Sequence, residues 1–375
     1  MEAKSLYIHI PFCKRRCVYC NFYSTIYDES LAASYIDVLS KQIDGIDAKF
    51  DTVYIGGGTP TVLGKNLLER LLRSLKERIN NASEFTLEAN PESVDEDKLK
   101  LLLDYGVNRL SIGVQSIKDQ KLKRLGRIHD SRKAGESVRR AKKTGFDNIS
   151  IDLIFGVWAE TIEAWESDIK EAVKLPISHI SCYALTYEKD TPLWGAVRNG
   201  SVKPLDDEKA AEMYEKAIDL LSLRGFKQYE VSNFSQEGYE CKHNMTYWNN
   251  DSYIGLGASS VSYIKGVREE NVSSVEEYIK RFEDSKTTVV SSEKLSPVAS
   301  AKETAAIKIR TKEGIDFDWF KNKTGFDFIK LEKRAIKGLV RDGFVKYIKT
   351  KDATTGICLR CKGFLFCDTV SSAFL

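Results

Sequence analysis

Apolar runs and helical repeats alternate along the first 225 residues of the chain. Each run of strand-forming residues is followed by a segment whose apolar residues recur every three or four positions. The pattern predicts six strands, over 5–10, 51–55, 84–88, 109–115, 148–155 and 179–187. It predicts intervening helices over 29–46, 67–79, 95–105, 131–144, 161–173 and 207–224.

This alternation is typical of parallel β-α-β units, whose helices cover the sheet so that the strands read as continuous apolar runs. Six units predict an α/β fold with an incomplete, TIM-like (β/α)6 barrel, and a doubly wound sheet also fits the periodicity. In such folds the functional groups collect at the carboxyl ends of the strands.

The pattern changes after residue 225. A connector over 226–295 carries glycine and aromatic motifs but little periodicity. Charged helices are then predicted over 298–309, 316–324 and 329–341, and a strand pair over 344–350 and 356–362. We therefore divide the chain into a barrel domain (1–225), the connector (226–295) and a small winged-helix-like α+β domain (296–375).

Composition limits the class of protein. Hydrophobic residues make up 42% of the chain, which allows a large core, and the net charge of +3 gives no argument for nucleic acid. No apolar run approaches the ~18 residues of a membrane span, and no signal-peptide pattern precedes the first strand. Eight cysteines are too few and too scattered for a disulfide scaffold. We expect a cytoplasmic protein with reduced thiols.

Three cysteines follow the first strand: Cys13, Cys17 and Cys20. Thiolates select iron–sulfur clusters, zinc or copper(I). Structural zinc requires four ligands and no fourth lies nearby in sequence, whereas a [4Fe–4S] cluster held by three thiolates keeps one iron open. The alternative, a set of buried small apolar residues, is disfavoured by the basic residues at 14–16.

The string from Leu6 to Cys13 and the Cys-x3-Cys-x2-Cys spacing, with an aromatic residue at Tyr19, resemble the radical S-adenosylmethionine (SAM) proteins. The resemblance is to the group that contains coproporphyrinogen dehydrogenases and HemW-type haem chaperones. It favours the partial barrel. It also implies that the open iron of the cluster chelates SAM and that the reduced cluster cleaves SAM to methionine and a 5′-deoxyadenosyl radical.

Further positions match the family motifs for SAM binding. Alone, each has an ordinary structural explanation, such as a tight turn for the glycine run or an ion pair for a carboxylate. The resemblance implies SAM contacts at Tyr7, Gly57, Gly58, Thr59, Glu88, Gln115, Arg127, Asp152 and Ala184. The chain departs from the family pattern at 156–161, where members carry Leu-Pro-Gly-Gln-Thr after the glycine.

Two features separate the branches of the group. The dehydrogenases carry a fourth cysteine two residues after Cys20, where this chain has Phe22. The string His-Asn-Met-Thr-Tyr-Trp that begins at His243 is a feature of the chaperones and is implicated there in haem binding. We predict His243 as a haem ligand with Cys241 as the alternative, although a histidine beside aromatic residues is more often hydrogen-bonded. Cys358 and Cys361, in the predicted wing strand, are discounted as half a zinc site.

The resemblance thus implies a haem chaperone with a [4Fe–4S] cluster, SAM and haem. Its partners would be acceptor haem proteins, respiratory and membrane-associated, with no nucleic acid and room for a homodimer. The second hypothesis is an oxygen-independent coproporphyrinogen III dehydrogenase. A third, a nucleic-acid-modifying radical enzyme, is disfavoured by the near-neutral charge.

Overall fold

Six parallel strands form the centre of a twelve-stranded sheet in a computed structural model that describes residues 3–79, 82–351 and 353–375. Each pairs in parallel with the next along the chain. They are β1 Ser5–Ile10, β2 Thr52–Gly57, β3 Glu84–Ala89, β4 Arg109–Gln115, β5 Asn148–Phe155 and β6 His179–Ala184. The predicted parallel α/β architecture is confirmed, although β6 ends before the predicted residue 187.

Eight helices of the described residues accompany these strands. They are α1 Glu29–Asp44, α2 Lys65–Leu75, α3 Glu96–Asp104, α4 Asp119–Arg124, α5 Ser131–Thr144, α6 Ile162–Ala172, α7 Pro192–Arg198 and α8 Asp207–Ser222. The short helices α4 and α7 were not predicted, because two turns or fewer give too little periodicity to read.

The connector adds strands to both edges of the sheet, which the sequence did not predict. These strands are β7 Lys227–Gln228, β8 Asn233–Ser235, β9 Tyr253–Leu256, β10 Val261–Ile264, β11 Val267–Asn271 and β12 Val289–Lys294. Strand β9 pairs in parallel with β1 and continues into the antiparallel strands β10 to β12, while β8 pairs antiparallel with β6. Two further helices here are α9 Lys242–Trp248 and α10 Val275–Glu283.

The two faces of the barrel strands differ in polarity. In β1, Leu6, Ile8 and Ile10 are fully buried in the main apolar core. The alternate residues of the same strand are polar, and Tyr7 and His9 hydrogen-bond to each other at 2.9 Å. Because successive side chains of a strand point to opposite faces, one face packs in the apolar core and the other is left for polar chemistry.

A three-stranded antiparallel sheet, β13 Ile315–Asp316, β14 Val345–Lys349 and β15 Thr354–Leu359, lies in the C-terminal part. Its helices are α11 Pro297–Lys308, α12 Phe317–Thr324, α13 Phe328–Leu331, α14 Lys333–Arg341, α15 Cys361–Leu365 and α16 Cys367–Ser372. The helix predicted over 329–341 is two helices. Cys361 begins α15 and is exposed, so placing it in the wing strand beside Cys358 was wrong. No helix of the described residues is long and apolar enough to cross a bilayer.

A buried ion cluster fixes the loop at 156–161. Lys121 Nζ lies 2.5 Å from Glu160 Oε1 and 3.1 Å from Asp168 Oδ2, and all three side chains are buried. Glu160 also accepts from the backbone amide of Val157 at 3.0 Å, and Asp168 accepts from the hydroxyl of Ser116 at 2.6 Å. The loop that departs from the family pattern is therefore held by its own glutamate.

We expect Asp168→Ala to lower the free energy of unfolding by about 3–5 kcal/mol, because it leaves buried donors without their acceptor. Urea denaturation followed by circular dichroism measures the change. As a control, Lys100→Ala breaks the exposed ion pair with Glu96 and should leave the unfolding midpoint where it is. A midpoint for Asp168→Ala equal to that of the wild type would contradict the interpretation.

Candidate cofactor-binding site

A cavity of about 380 Å3 opens at the carboxyl ends of the barrel strands. The cysteine loop forms one wall, and the ends of β2 to β6 form the others. All but two of the predicted site residues line it: Cys13, Cys17, Cys20, Gly57, Gly58, Thr59, Glu88, Gln115, Arg127, Asp152 and Ala184. Their individual roles stay predictions, but the structure brings them together. Tyr7 and His243 lie outside the lining.

The cysteine loop is pinned at both ends by backbone hydrogen bonds. A short strand, Phe12–Cys13, pairs in parallel with Thr25–Ile26. The amide of Thr25 donates to the carbonyl of Pro11 at 2.7 Å, and that of Tyr27 donates to the carbonyl of Cys13 at 2.9 Å. The loop between these bonds is thus held against the end of β1.

The three thiols suit a cluster better than a single metal ion. They are free and half-buried, and they share one cavity. Within the described part of the chain, no three Cys, His, Asp or Glu side chains are placed to hold one metal ion. Three thiolates are one fewer than the four ligands of a structural zinc site, whereas a [4Fe–4S] cluster held by three thiolates keeps one iron open, so the donor set fits such a cluster.

Burial opposes ionisation of two of these thiols before a metal binds. It raises the pKa of Cys13 and of Cys20, and the neighbouring cysteines add to the shift. Arg127 Nη1 donates to Cys17 Sγ at 3.3 Å. Metal coordination deprotonates thiols outright, so we expect cluster assembly to release protons.

The glycine run after β2 packs directly on the cysteine loop. A Cβ atom at Gly58 would lie 2.7 Å from the carbonyl oxygen of Phe12 and 3.0 Å from Cys13 Sγ. The amide of the next residue, Thr59, donates to that same carbonyl at 2.8 Å. Gly57 has φ +111°, which other residues rarely adopt. The approach of the two segments therefore requires glycine.

Two carboxyl groups face the cavity. Glu88 accepts from the hydroxyl of Tyr54 at 2.6 Å and from the amide of Gly57 at 3.0 Å. Burial raises the pKa of Glu88 to about 7, and the nearby Asp152 adds to the shift. Burial also raises the pKa of Asp152, to which Ser111 donates at 3.4 Å. Acidic groups with raised pKa values in a cleft are typical of functional sites.

Arg127 is committed to protein acceptors. Its Nη2 donates to Asn90 Oδ1 at 2.5 Å and to the carbonyl of Gly113 at 2.8 Å. Asn90 in turn donates to Thr59 Oγ1 at 2.7 Å, and that hydroxyl lies 3.6 Å from Cys13 Sγ. This chain of contacts joins the arginine to the cysteine loop through the glycine run.

Sequence reasoning missed Asn90, Tyr183 and Ser111 as cavity residues. Asn90 directly follows β3 and precedes a proline, so its place at a strand end was the available signal. The other two lie within strands, where only pairing decides which face a residue takes. Gln115, which was predicted, has φ +66° and ends β4 in a strained, left-handed conformation.

The two outlying residues differ in position. Tyr7 hydrogen-bonds to His9 within the barrel. His243 lies at the end of the barrel where the parallel strands begin, which we call its amino end. Its Nδ1 is 2.9 Å from Thr52 Oγ1, and its Nε2 is 2.9 Å from the hydroxyl of Tyr247. Its side chain is buried, and burial lowers its pKa to about 4. Its haem-ligand role stays a prediction.

Cys241, the alternative ligand, is also fully buried at the amino end. Its thiol donates to Glu84 Oε1 at 3.3 Å. Burial raises the pKa of this thiol well above its usual range. The structure therefore presents neither predicted ligand to a surface on which haem could lie.

Comparison with known proteins identifies the family of the chain. Residues 7–172 match the family model described as the radical SAM superfamily. The haem chaperone HemW of Lactococcus lactis is 37% identical over 342 residues, 90% of each chain, and that of Bacillus subtilis is 34% identical over 380 residues, 99% of each chain. The solved structure of coproporphyrinogen III oxidase (HemN) from Escherichia coli has the same fold, with a TM-score of 0.86 at 22% identity over 100% of this chain and 90% of that one. The chain belongs to the HemW family of the radical SAM superfamily.

Proposed function

We propose that this protein binds a [4Fe–4S] cluster, SAM and haem, and that it delivers the haem to acceptor haem proteins as a chaperone. The observation that carries the proposal is the meeting of three thiols and polar strand ends in one cavity. The HemW relatives, which match 90–99% of the chain, support the haem-transfer role.

Cys13, Cys17 and Cys20 would hold the cluster. When bound, the cluster supplies an open iron position and an electron for SAM chemistry. The backbone at Gly57 and Gly58 can approach a ligand closely. Glu88, in its ionised form, can accept hydrogen bonds from the ligand, whereas Arg127 orients Asn90 and the cysteine loop. A volume of about 380 Å3 lies in the usual range for a small-molecule site.

The remaining expectations form part of the same proposal. The acceptors would be respiratory, membrane-associated haem proteins, and the chaperone itself would work in the cytoplasm. The proposal includes no nucleic-acid partner, and it is compatible with a homodimer. The division into 1–225, 226–295 and 296–375 likewise stays our proposal. Strands β7 to β12 of the connector belong to the same sheet as the barrel strands, so the connector is joined to the barrel through this sheet.

A coproporphyrinogen III dehydrogenase is the second candidate, because the fold matches that of HemN over the whole chain. Phe22 argues against dehydrogenase activity. Its side chain is 66% exposed and lines the cavity at the position where the resemblance gives the dehydrogenases a fourth cysteine. An exposed phenyl ring suits contact with a flat apolar ligand, but it cannot ligate a metal.

We expect Cys17→Ser to lose most of the cluster iron and all measurable SAM binding after anaerobic reconstitution, because two thiolates cannot hold the cubane. Iron and sulfide analysis and equilibrium dialysis with SAM measure both. Cys361→Ser, which changes an exposed cysteine far along the chain, should behave as the wild type. Full iron content in Cys17→Ser would contradict the assignment.

We expect Gly58→Ala to weaken SAM binding at least tenfold and to destabilise the fold by about 1–3 kcal/mol, because the added Cβ forces the glycine run away from Phe12. Gly64→Ala is the matched control, since nothing lies within 4 Å of its Cβ position. Isothermal titration and urea denaturation give the two quantities. Equal SAM affinities in the two variants would show that the contact does not shape the site.

Haem titration of the reconstituted protein should give a Soret band that saturates at one haem per chain. The loaded protein should then restore activity to a haem-depleted respiratory enzyme. In parallel, coproporphyrinogen III with SAM and a reductant should remain unchanged, as chromatography of the oxidised porphyrins would show. Conversion to products with vinyl groups would favour the dehydrogenase instead.

A further inference from the structure

The amino end of the barrel is closed by the helix that carries the His-Asn-Met-Thr-Tyr-Trp motif. Thr52, Glu84 and Arg109 are the first residues of β2, β3 and β4, at the end of the sheet opposite the cysteine loop. All three side chains are buried. His243, in α9, contacts the first two of them and is itself fully buried.

Glu84 anchors the start of α9. Its Oε2 accepts from the amide of Lys242 at 2.8 Å, and its Oε1 accepts from the amide of His243 at 3.2 Å. A carboxylate at the start of a helix satisfies amides that have no partner within the helix. The thiol of Cys241 adds a third donor. The first residues of the motif are therefore used to attach the helix to the barrel.

Hydrogen bonds occupy both ring nitrogens of His243. Thr52 donates its hydroxyl proton to Ser5, so Nδ1 of His243 donates to Thr52. Nε2 then accepts from the hydroxyl of Tyr247. A neutral imidazole ligates iron through the lone pair of its unprotonated nitrogen. Here that lone pair already accepts the hydrogen bond from Tyr247.

One side chain links this closed end to the cavity. The ring of Tyr54 lies 5.2 Å from the ring of His243, with 30° between their planes. Its hydroxyl donates to Glu88 Oε1 at 2.6 Å, and the other oxygen of Glu88 accepts from the amide of Gly57. Displacement of the histidine would free the tyrosine ring and, with it, the carboxyl group that faces the SAM cavity.

We propose that His243 is a positioning residue that closes the amino end of the barrel, and that Tyr54 transmits its position to Glu88. It is not an iron ligand. This proposal extends the proposed function, and its haem and SAM measurements rest on that function. Loss of haem in a His243→Ala variant would then reflect a disturbed barrel rather than a missing axial ligand.

The first test concerns the iron ligand. His243→Gln keeps a donor and an acceptor but removes the imidazole. We expect the same haem stoichiometry, the same Soret maximum and the same electron paramagnetic resonance spectrum as in the wild type. In wild-type protein labelled with 15N-histidine, an iron–nitrogen hyperfine coupling that is absent from the labelled His243→Gln variant would overturn the proposal. The labelled wild type alone, showing no such coupling, would support it even if the variant failed to fold.

The second test concerns Tyr54. In the reconstituted protein, Tyr54→Phe should weaken SAM binding roughly tenfold, because a hydrogen bond to a charged acceptor is lost. Tyr214→Phe removes an equally short, partly buried hydrogen bond, 2.6 Å to the carbonyl of Val231, and should leave SAM affinity unchanged. Equal affinities in the wild type and in Tyr54→Phe would overturn the link. Haem spectra should be the same in all three proteins.

A pH profile separates positioning from general damage. Burial sets a pKa of about 7 for Glu88, while Asp152 raises it and the bonds from Tyr54 and Gly57, with the charge of Arg109, lower it. Affinity for SAM should fall as the pH falls through this value, because the protonated carboxyl group accepts fewer hydrogen bonds. In Tyr54→Phe the midpoint should lie at higher pH, and an unmoved midpoint would count against the proposal.

The outcomes for the two proposals remain distinguishable. A wild-type protein that takes up no haem contradicts the chaperone function. The affinity for SAM and its pH midpoint in Tyr54→Phe then still decide the link between Tyr54 and Glu88.

Discussion

Parallel pairing of β1 to β6 obliges six carboxyl ends to meet at one edge of the sheet. The cavity that holds the candidate cofactor-binding residues depends on that constraint. The cysteine loop, the glycine run, Glu88 and Gln115 are separated by tens of residues in the chain, yet they line one cavity because each follows or ends a parallel strand. Antiparallel pairing would have sent half of them to the opposite edge.

The two ends of the barrel differ in how their polar side chains are used. At the carboxyl end, half-buried thiols and acids face a cavity that can admit a ligand. At the amino end, Glu84, Arg109 and His243 are buried and must find partners within the protein. The motif helix supplies amides to Glu84, and Thr52 completes the bonding of the histidine. The same polar face of the sheet thus serves binding at one end and closure at the other.

Membership in the HemW family gives this geometry a wider meaning. The cavity is assembled from the parts that a radical SAM protein needs, while the His-Asn-Met-Thr-Tyr-Trp motif lies at the opposite, amino end of the strands. Tyr54 is the side chain that spans the two, with its ring beside His243 and its hydroxyl on Glu88. The link that we propose between this motif and the cavity therefore needs no large movement, only a change at one aromatic ring.

The sequence by itself determined the alternation of strands and helices and the cysteine loop, because periodicity and short motifs at strand ends are local signals, and its family resemblance pointed to eleven of the residues that line the cavity. Only the tertiary structure decided the rest. Asn90 acts through Arg127 and Thr59, which are distant in the chain, and the strands β7 to β12 are short and defined by their partners at the sheet edges. The burial of His243 against Thr52 arises from a contact across 191 positions, and no local pattern encodes which partners occupy the two nitrogens of its imidazole.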